Sequence, residues 1–203
     1  VGQLGDFATL SFQTSKNVAA GEGGAVLCRD EARGRLVWSL HNAGRERGGG
    51  WYQHDHLGWN LRMPEVQGVL VDAMLDELDA MQRVREAGHR RLAAMAAAEG
   101  LPLAPVDSAR TTKHGRHLMI WRLDTARSKP DQRARIVAAL QAIGVHASPG
   151  YPCLNRMPSV RKGVAALGGA PPADLPITEE AAQSCFWLPQ PVLLAPEAAH
   201  RAV

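Results

Sequence analysis

The longest periodic stretch of the sequence runs from Met63 to about Glu99. Val66, Val69, Leu70, Ala73, Met74, Glu77, Leu78, Met81 and Val84 keep mainly to one stripe, the i, i+3, i+4 spacing of an amphipathic helix. Pro64 and Glu65 suit its first turn: proline lacks a donor that this turn leaves unused, and a carboxylate faces the positive end of the helix dipole. Gly100-Leu101-Pro102 would stop it. Such a helix would be ~50 Å long at about 1.5 Å per residue. That is more than one small core requires, so the pattern predicts an interdomain helix joining two lobes.

The flanks alternate between strand and helix patterns. Phe7–Phe12 and Gly24–Cys28 read as short strands, and Asp30 begins a helix with Leu36, Val37 and Leu40 at helical spacing. Between the strands, residues 13–23 are polar, small and glycine-rich, which predicts a loop. Gly44–Gly50 reads as a flexible basic loop. Beyond the long helix, residues 117–123 and 145–148 read as strands, 131–143 and 179–186 as helices, and 150–156 and 163–176 as loops. Strands alternating with helices predict a layered α/β or α+β architecture. Asp72, Asp76, Glu77 and Asp79 read as the solvated face of the long helix.

Composition narrows the function classes. No apolar run approaches the ~20 residues that span a bilayer. Val1–Phe7 holds no basic stretch leading into an apolar one, so no signal peptide is expected. The chain opens on Val1, which suggests part of a longer protein. Cys28, Cys153 and Cys185 form no CxxC pair; free thiols in a reducing, cytoplasmic compartment are expected. The net charge of +3 is spread among neighbouring acids, against nucleic-acid binding, which clusters charge on one face. Only four of the 23 basic residues are lysines, at 16, 113, 129 and 162.

That scarcity draws attention to Lys16. A strand delivers Ser11 and, five residues later, Lys16 at the mouth of a glycine-rich loop ending Gly21-Glu22-Gly23-Gly24. An amine at such a place, partly desolvated, can attack an aldehyde. A hydroxyl and neighbouring backbone N–H groups can take a phosphate. Pyridoxal phosphate carries both groups. A lone lysine on a turn is more commonly a surface lysine, and the residue before Lys16 is Ser15, so the GxxxxGK[ST] pattern of a nucleotide-binding loop is absent.

The stretch Gly5-Asp6, Ser11-Phe12, Lys16-Asn17, Gly21-Glu22-Gly23-Gly24 resembles the DegT/StrS family of sugar aminotransferases, whose lysine holds pyridoxal phosphate covalently. Gly58-Trp59-Asn60-Leu61-Arg62, followed by Glu65 and Gln67, is similar to a second family segment. Gly150-Tyr151-Pro152 and Leu188-Pro189 fall where the family has comparable elements. The resemblance implies an α/β fold, the C-terminal portion of a fold-type I aminotransferase. Residues 1–62 would complete the cofactor-binding large domain, and residues 63–203 would form the interdomain helix and the small domain. It implies Lys16 as the catalytic residue, Ser11, Lys16 and Asn60 as cofactor-binding residues, and Tyr151 as a substrate-pocket residue.

The resemblance further implies a homodimer in which Asn60 reaches the partner's cofactor. The donor would be glutamine or glutamate and the acceptor a keto sugar or keto cyclitol, with the wording around Lys16 nearest to members serving antibiotic biosynthesis. An aromatising synthase of the aminohydroxybenzoate type, and a non-catalytic remnant acting as a partner domain, are the alternatives. Met119 stands where the family often has tyrosine, and Asn155 near a common histidine; both departures bear on the substrate. Lys16 itself argues against the dehydrating subgroup, which carries histidine there.

Other motifs point to structure. His54-Asp55-His56 lacks the further spaced ligands of a metal site and reads as a pair of loop histidines. Trp51, Tyr52 and Trp59 could stack on single-stranded nucleic acid, but packing of this loop against the long helix is the expectation. Cys153 has no identifiable base partner and reads as core or pocket lining.

Overall fold

A computed structural model describes Gly2 and residues 4–200. The chain divides into two compact units, Val1–Asp79 and Ala80–Val203.

The first unit is built on an antiparallel hairpin of β1 (Phe7–Ser11) and β2 (Gly24–Cys28), in register Ser11↔Gly24 at the loop end and Phe7↔Cys28 at the open end. Helix α1 (Glu31–His41) follows, its first turn capped by the Asp30 carboxylate, which accepts from the Arg33 N–H at 2.8 Å. Helix α2 (Glu65–Asp76) closes the unit. Phe12, Ala20 and Val71 are its buried apolar residues, ringed by Leu10, Val18, Ala25 and Met63. So small a core leaves much apolar surface uncovered: Val66 and Val69 on α2 are 66% and 69% exposed, and Leu57 is 88% exposed.

The stripe from Met63 to Glu99 is not one helix. It breaks at Glu77, and α3 (Leu78–Ala98) begins at the next residue. Periodicity cannot register the break, because Glu77 keeps right-handed helical backbone angles and so preserves the spacing of the stripe. Asp72, Asp76, Glu77 and Asp79 are all exposed.

The second unit packs helices on a three-stranded antiparallel sheet in the order β3 (Leu103–Pro105), β4 (Leu118–Leu123), β5 (Cys185–Pro189). Central β4 alternates burial along its length, with Met119, Trp121 and Leu123 inward. These meet Leu92 and Ala96 of α3, Val137 and Leu140 of α4 (Gln132–Ala142), and Phe186 and Leu188 of β5. The remaining helices are α5 (Pro158–Ala166), α6 (Pro176–Ser184), α7 (Gln190–Leu194) and α8 (Glu197–His200), with a 3-10 turn at Leu154–Arg156.

Several sequence expectations shift here. The strand expected over 145–148 is reduced to a single bridge, Ser148↔Trp187. The loop expected over 163–176 starts inside α5. The helix expected over 179–186 lies at 176–184, and its last two residues belong to β5. Cys185–Pro189 is apolar throughout and short, so only pairing with β4 decides that it is a strand.

Gly88 lets α3 and α7 touch. A Cβ there would sit 2.1 Å from the Leu193 carbonyl oxygen and 2.9 Å from its carbon, and both are backbone atoms. Gly88→Ala is expected to lower unfolding free energy by about 2–3 kcal/mol through overpacking. Gly68→Ala in α2, where a Cβ meets nothing within 4 Å, is the control. It should be neutral or stabilising by up to about 1 kcal/mol from helix propensity. Urea unfolding of the two variants checks the contrast.

An ionic cluster ties α3 to the segment between β3 and β4. Arg116 donates from Nε to Glu86 at 2.7 Å and from Nη1 to Asp107 at 2.5 Å. Its Nη1 also faces His89 Nε2 at 2.9 Å, and His89 Nε2 lies 3.4 Å from Asp107. Arg116 holds this place with φ +49°, a left-handed conformation that bulky residues rarely adopt. Burial, then the Arg116 charge, holds His89 below the usual histidine range. The Arg116 hydrogen bond lowers Glu86. Burial pushes Asp107 up, but Arg116 and His89 outweigh it and leave the carboxyl below its usual range. Burial likewise opposes the charged form of Arg116, and its bonds to Glu86 and Asp107 more than compensate.

Candidate functional site: the Lys16 loop

Residues 12–23 form the loop of the β1–β2 hairpin. Backbone bonds lace it across: Phe12 N–H to Gly23 O at 2.9 Å, Thr14 N–H to Gly21 O at 2.9 Å and Ala20 N–H to Phe12 O at 2.8 Å. A tight turn then lifts Lys16, whose N–H donates to Gln13 O at 2.9 Å. The Ser15 N–H and hydroxyl both donate to the Gln13 amide oxygen, so the turn is closed on two sides. The glycines explain themselves in this geometry. Gly23 has φ +126°, and a Cβ on Gly24 would lie 2.6 Å from Leu10 O.

Lys16 is half-buried, and among the described residues its ammonium has no hydrogen-bond or ion-pair partner. Ser11 is exposed at the end of β1, and its Oγ accepts a long bond from Gln13 N–H at 3.4 Å. A free amine is thus presented by a braced turn, with a hydroxyl at the root of the same loop.

Gln67 of α2 is the residue that sequence reasoning quoted without a role. Its amide donates to Ala20 O at 3.2 Å and to Glu22 O at 2.8 Å, buttressing the far side of the loop. The Ala19 N–H also faces Met74 Sδ at 3.3 Å. The only sequence signal for Gln67 was its place in the second segment, because a loop 45 residues away in sequence leaves no periodic trace.

Asn60 lies in the second loop system of the first unit. The chain around it is sewn to the end of α1: Trp59 N–H to Leu40 O at 2.7 Å, Ala43 N–H to Trp59 O at 2.8 Å and Leu61 N–H to His41 O at 2.8 Å. Arg62 adds a bond from Nη1 to the Asn42 side-chain oxygen at 2.8 Å. The Asn60 side chain itself is exposed.

The neighbouring aromatics are not packed against a helix, contrary to expectation: Trp51 is 85%, Tyr52 81% and Trp59 60% exposed. Arg45 lies over one face of the Trp51 ring, and Tyr52 meets the His54 ring edge-on. His54 Nδ1 bonds Ala43 O at 2.7 Å and His56 Nδ1 meets Ser39 Oγ at 3.0 Å, each histidine serving its own loop contact.

Tyr151 belongs to the second unit and is 74% exposed, its ring 4.5 Å from that of Trp187. Met119 is 1% exposed and belongs to the sheet core. Asn155 is buried and donates to Ala173 O at 2.9 Å. Cys153 is half-buried with its thiol 3.6 Å from Thr178 O. Among the described residues no group of three His, Cys, Asp or Glu could hold a metal ion, and no helix is long and apolar enough to cross a membrane.

One unit holding a two-stranded hairpin with an unpartnered lysine, and one α/β unit with a three-stranded antiparallel sheet, are the parts expected of the C-terminal portion of a fold-type I aminotransferase. A structure of 3-amino-5-hydroxybenzoic acid synthase superposes over 100% of this chain and 53% of its own, with a TM-score of 0.79 and 26% identity. The chain belongs to the DegT/DnrJ/EryC1/StrS aminotransferase family, whose model matches residues 1–203. It is 33% identical over 157 residues to the UDP-N-acetyl-3-dehydro-alpha-D-glucosamine 3-aminotransferase of Acidithiobacillus ferrooxidans, covering 75% of this chain and 38% of that one. It is 29% identical over 218 residues to the L-glutamine:2-deoxy-scyllo-inosose aminotransferase of Streptomyces lividus, covering 97% and 51%. The chain spans about half the length, or less, of the curated relatives it matches.

Proposed function

We propose that this chain is the C-terminal portion of a pyridoxal phosphate-dependent aminotransferase that passes an amino group from glutamine or glutamate to a keto sugar or keto cyclitol. In this reading residues 1–62 complete the large domain, and residues 63–203 form the interdomain helix and small domain. The observation that carries it is the unpartnered amine of Lys16 on a braced turn, in a member of this family.

The residues present suit the cofactor. Lys16 offers a free amine for its aldehyde, and the exposed Ser11 hydroxyl is a donor for its phosphate. When bound, pyridoxal phosphate supplies an electron sink for charge developing at a substrate carbon. The chain's own residues do the remainder. Lys16 would hold the cofactor through Nζ. Released as a free amine, Nζ would take a proton from the donor's α-carbon and, in the second half of the exchange, would deliver one to the acceptor's carbon, general acid–base work by a residue already in place. The lacing of residues 12–23 and the Gln67 bonds fix where that nitrogen can reach.

Asn60 is assigned to the phosphate of a second protomer's cofactor, which makes the active form a homodimer with shared sites. The exposed apolar residues that flank it in sequence, Trp59 and Leu61, together with Val66 and Val69 on α2, support a surface that another chain covers. Tyr151 is assigned to the pocket for the amino acceptor.

Borohydride reduction tests the cofactor site without depending on turnover. The purified protein is mixed with pyridoxal phosphate, reduced, digested and mapped by mass spectrometry. Label confined to Lys16 is the expected result. Label scattered over Lys113, Lys129 and Lys162 would mean that no site is formed. The 3-amino-5-hydroxybenzoic acid synthase likeness keeps an aromatising reaction as the second reading. Product analysis with a keto cyclitol separates them: an aminocyclitol supports transfer, an aminobenzoate the synthase.

A further inference from the structure

Arg133 stands in the first turn of α4, the end of a helix where a positive charge is least favoured. Its contacts explain why a cation is kept there. Nη1 donates to Pro149 O at 3.0 Å, to Ala182 O, and more distantly to Cys185 O at 3.5 Å. Ala182 lies in the last turn of α6, whose carbonyls have no partner inside their own helix and which carries no basic residue of its own in that turn. Cys185 opens β5. One guanidinium therefore pins three segments: the end of α6, the start of β5 and the turn that leads into Tyr151.

The other bonds to this stretch lie before Pro149, beginning with Gln141 Nε2, which donates to Ala147 O at 2.9 Å. Ser148 pairs with Trp187 through two backbone bonds, N–H to O at 3.0 Å and O to N–H at 2.9 Å. Gly150 follows at φ +87°, with its would-be Cβ 3.2 Å from Cys185 O. Tyr151 then projects, with its ring tilted 48° against Trp187 as its one aromatic contact. An exposed ring on so short a tether takes its direction from the tether, and the side-chain bond on the tether at Pro149 O comes from Arg133.

We infer that Arg133 is a positioning residue that sets the orientation of Tyr151 and, through it, the enzyme's efficiency toward the amino acceptor. The kinetic part rests on the reading of Tyr151 as an acceptor-pocket residue; the hold of Arg133 on the turn does not.

The test uses the native protein carrying 5-fluorotryptophan, with the Trp187 fluorine signal identified by its loss in Trp187→Phe. Tyr151→Ala defines the signal of an uncovered Trp187. Arg133→Ala is expected to move the Trp187 signal toward that position, and Arg133→Lys to move it part of the way. In kinetics, Arg133→Ala should lower kcat/KM for the acceptor roughly ten- to hundredfold, with the donor half-reaction unchanged. A Trp187 signal that stays at its wild-type position in Arg133→Ala, while Tyr151→Ala moves it, overturns the proposal. If Tyr151→Ala leaves acceptor kcat/KM unchanged, the pocket reading of Tyr151 and the kinetic role of Arg133 fall together, even where the fluorine shift survives. Should Arg133→Ala not fold, Gly150→Ala strains the same turn with Arg133 in place. It must then give the same shift and the same kinetic split, and an unmoved signal there overturns the proposal.

Discussion

Lys16→Arg is expected to abolish transamination, lowering kcat by more than roughly 10⁴-fold. Guanidinium keeps the charge and about the same length, but it cannot attack an aldehyde or act as a neutral base near pH 7. The loss should leave the fold intact, since Lys16 makes no hydrogen bond or ion pair through its side chain among the described residues. Far-UV circular dichroism and the unfolding midpoint are expected to match wild type. Lys16→Ala should be equally inactive, yet recover part of its activity with a small primary amine such as methylamine, which can carry the proton in place of Nζ. Substantial residual transamination in purified Lys16→Arg would defeat the assignment.

The second large effect concerns the Arg116 cluster and is one of stability. Arg116→Ala is expected to lower unfolding free energy by about 2–3 kcal/mol at pH 7, less than the roughly 3–5 kcal/mol of a fully buried pair. Glu86 and Asp107 keep 36% and 43% of their side-chain surface in water, which screens part of the loss. Arg116→Gly should be less harmful than Arg116→Ala by about 1 kcal/mol, because glycine accepts the positive φ without strain. Equal losses in the two variants would remove backbone strain from the account.

The pH dependence follows from the same groups. His89 has its folded-state pKa lowered, so its contribution is complete above the ordinary histidine value of about 6.5. It is lost as pH falls from there through the lowered value. Glu86 and Asp107, also lowered, add stability that is complete above the usual carboxylate range of about 4 to 4.5 and is lost on further acidification. All three act in one direction, so acid should weaken the wild type. Arg116→Ala removes the cation that lowers both carboxyls and adds to the effect of burial on His89. In urea unfolding the gap between the two proteins is therefore expected to narrow in two stages, first below about pH 6.5 as His89 takes up its proton and again below about pH 4.5 as the carboxyls do. A gap independent of pH would assign the loss to packing alone.

How much could be read in advance varied with the range of the interactions. The Lys16 loop was legible because its chemistry is local. A strand, a turn, an amine and glycines in the left-handed or close-approach positions all lie within residues 5–24, and each leaves its residue type in place. Helices α1 and α4 were legible for the same reason, since their apolar residues repeat at the helical period. The aromatic loop misled: Trp51, Tyr52 and Trp59 are residues that usually pack, and composition cannot tell a buried ring from one left open at a face.

The sequence by itself determined the family and the strand–loop–strand that carries Lys16, because those depend on residue identity at short spacing. Only the tertiary structure decided that the long stripe divides at Glu77, that Cys185–Pro189 is a strand, that Gln67 braces the Lys16 loop and that Arg133 holds the turn before Tyr151. Each of these is settled by a partner 16 or more residues away or by a single backbone break. A hydrogen bond across such a distance depends on where the fold brings two atoms, which no local pattern of residue types encodes.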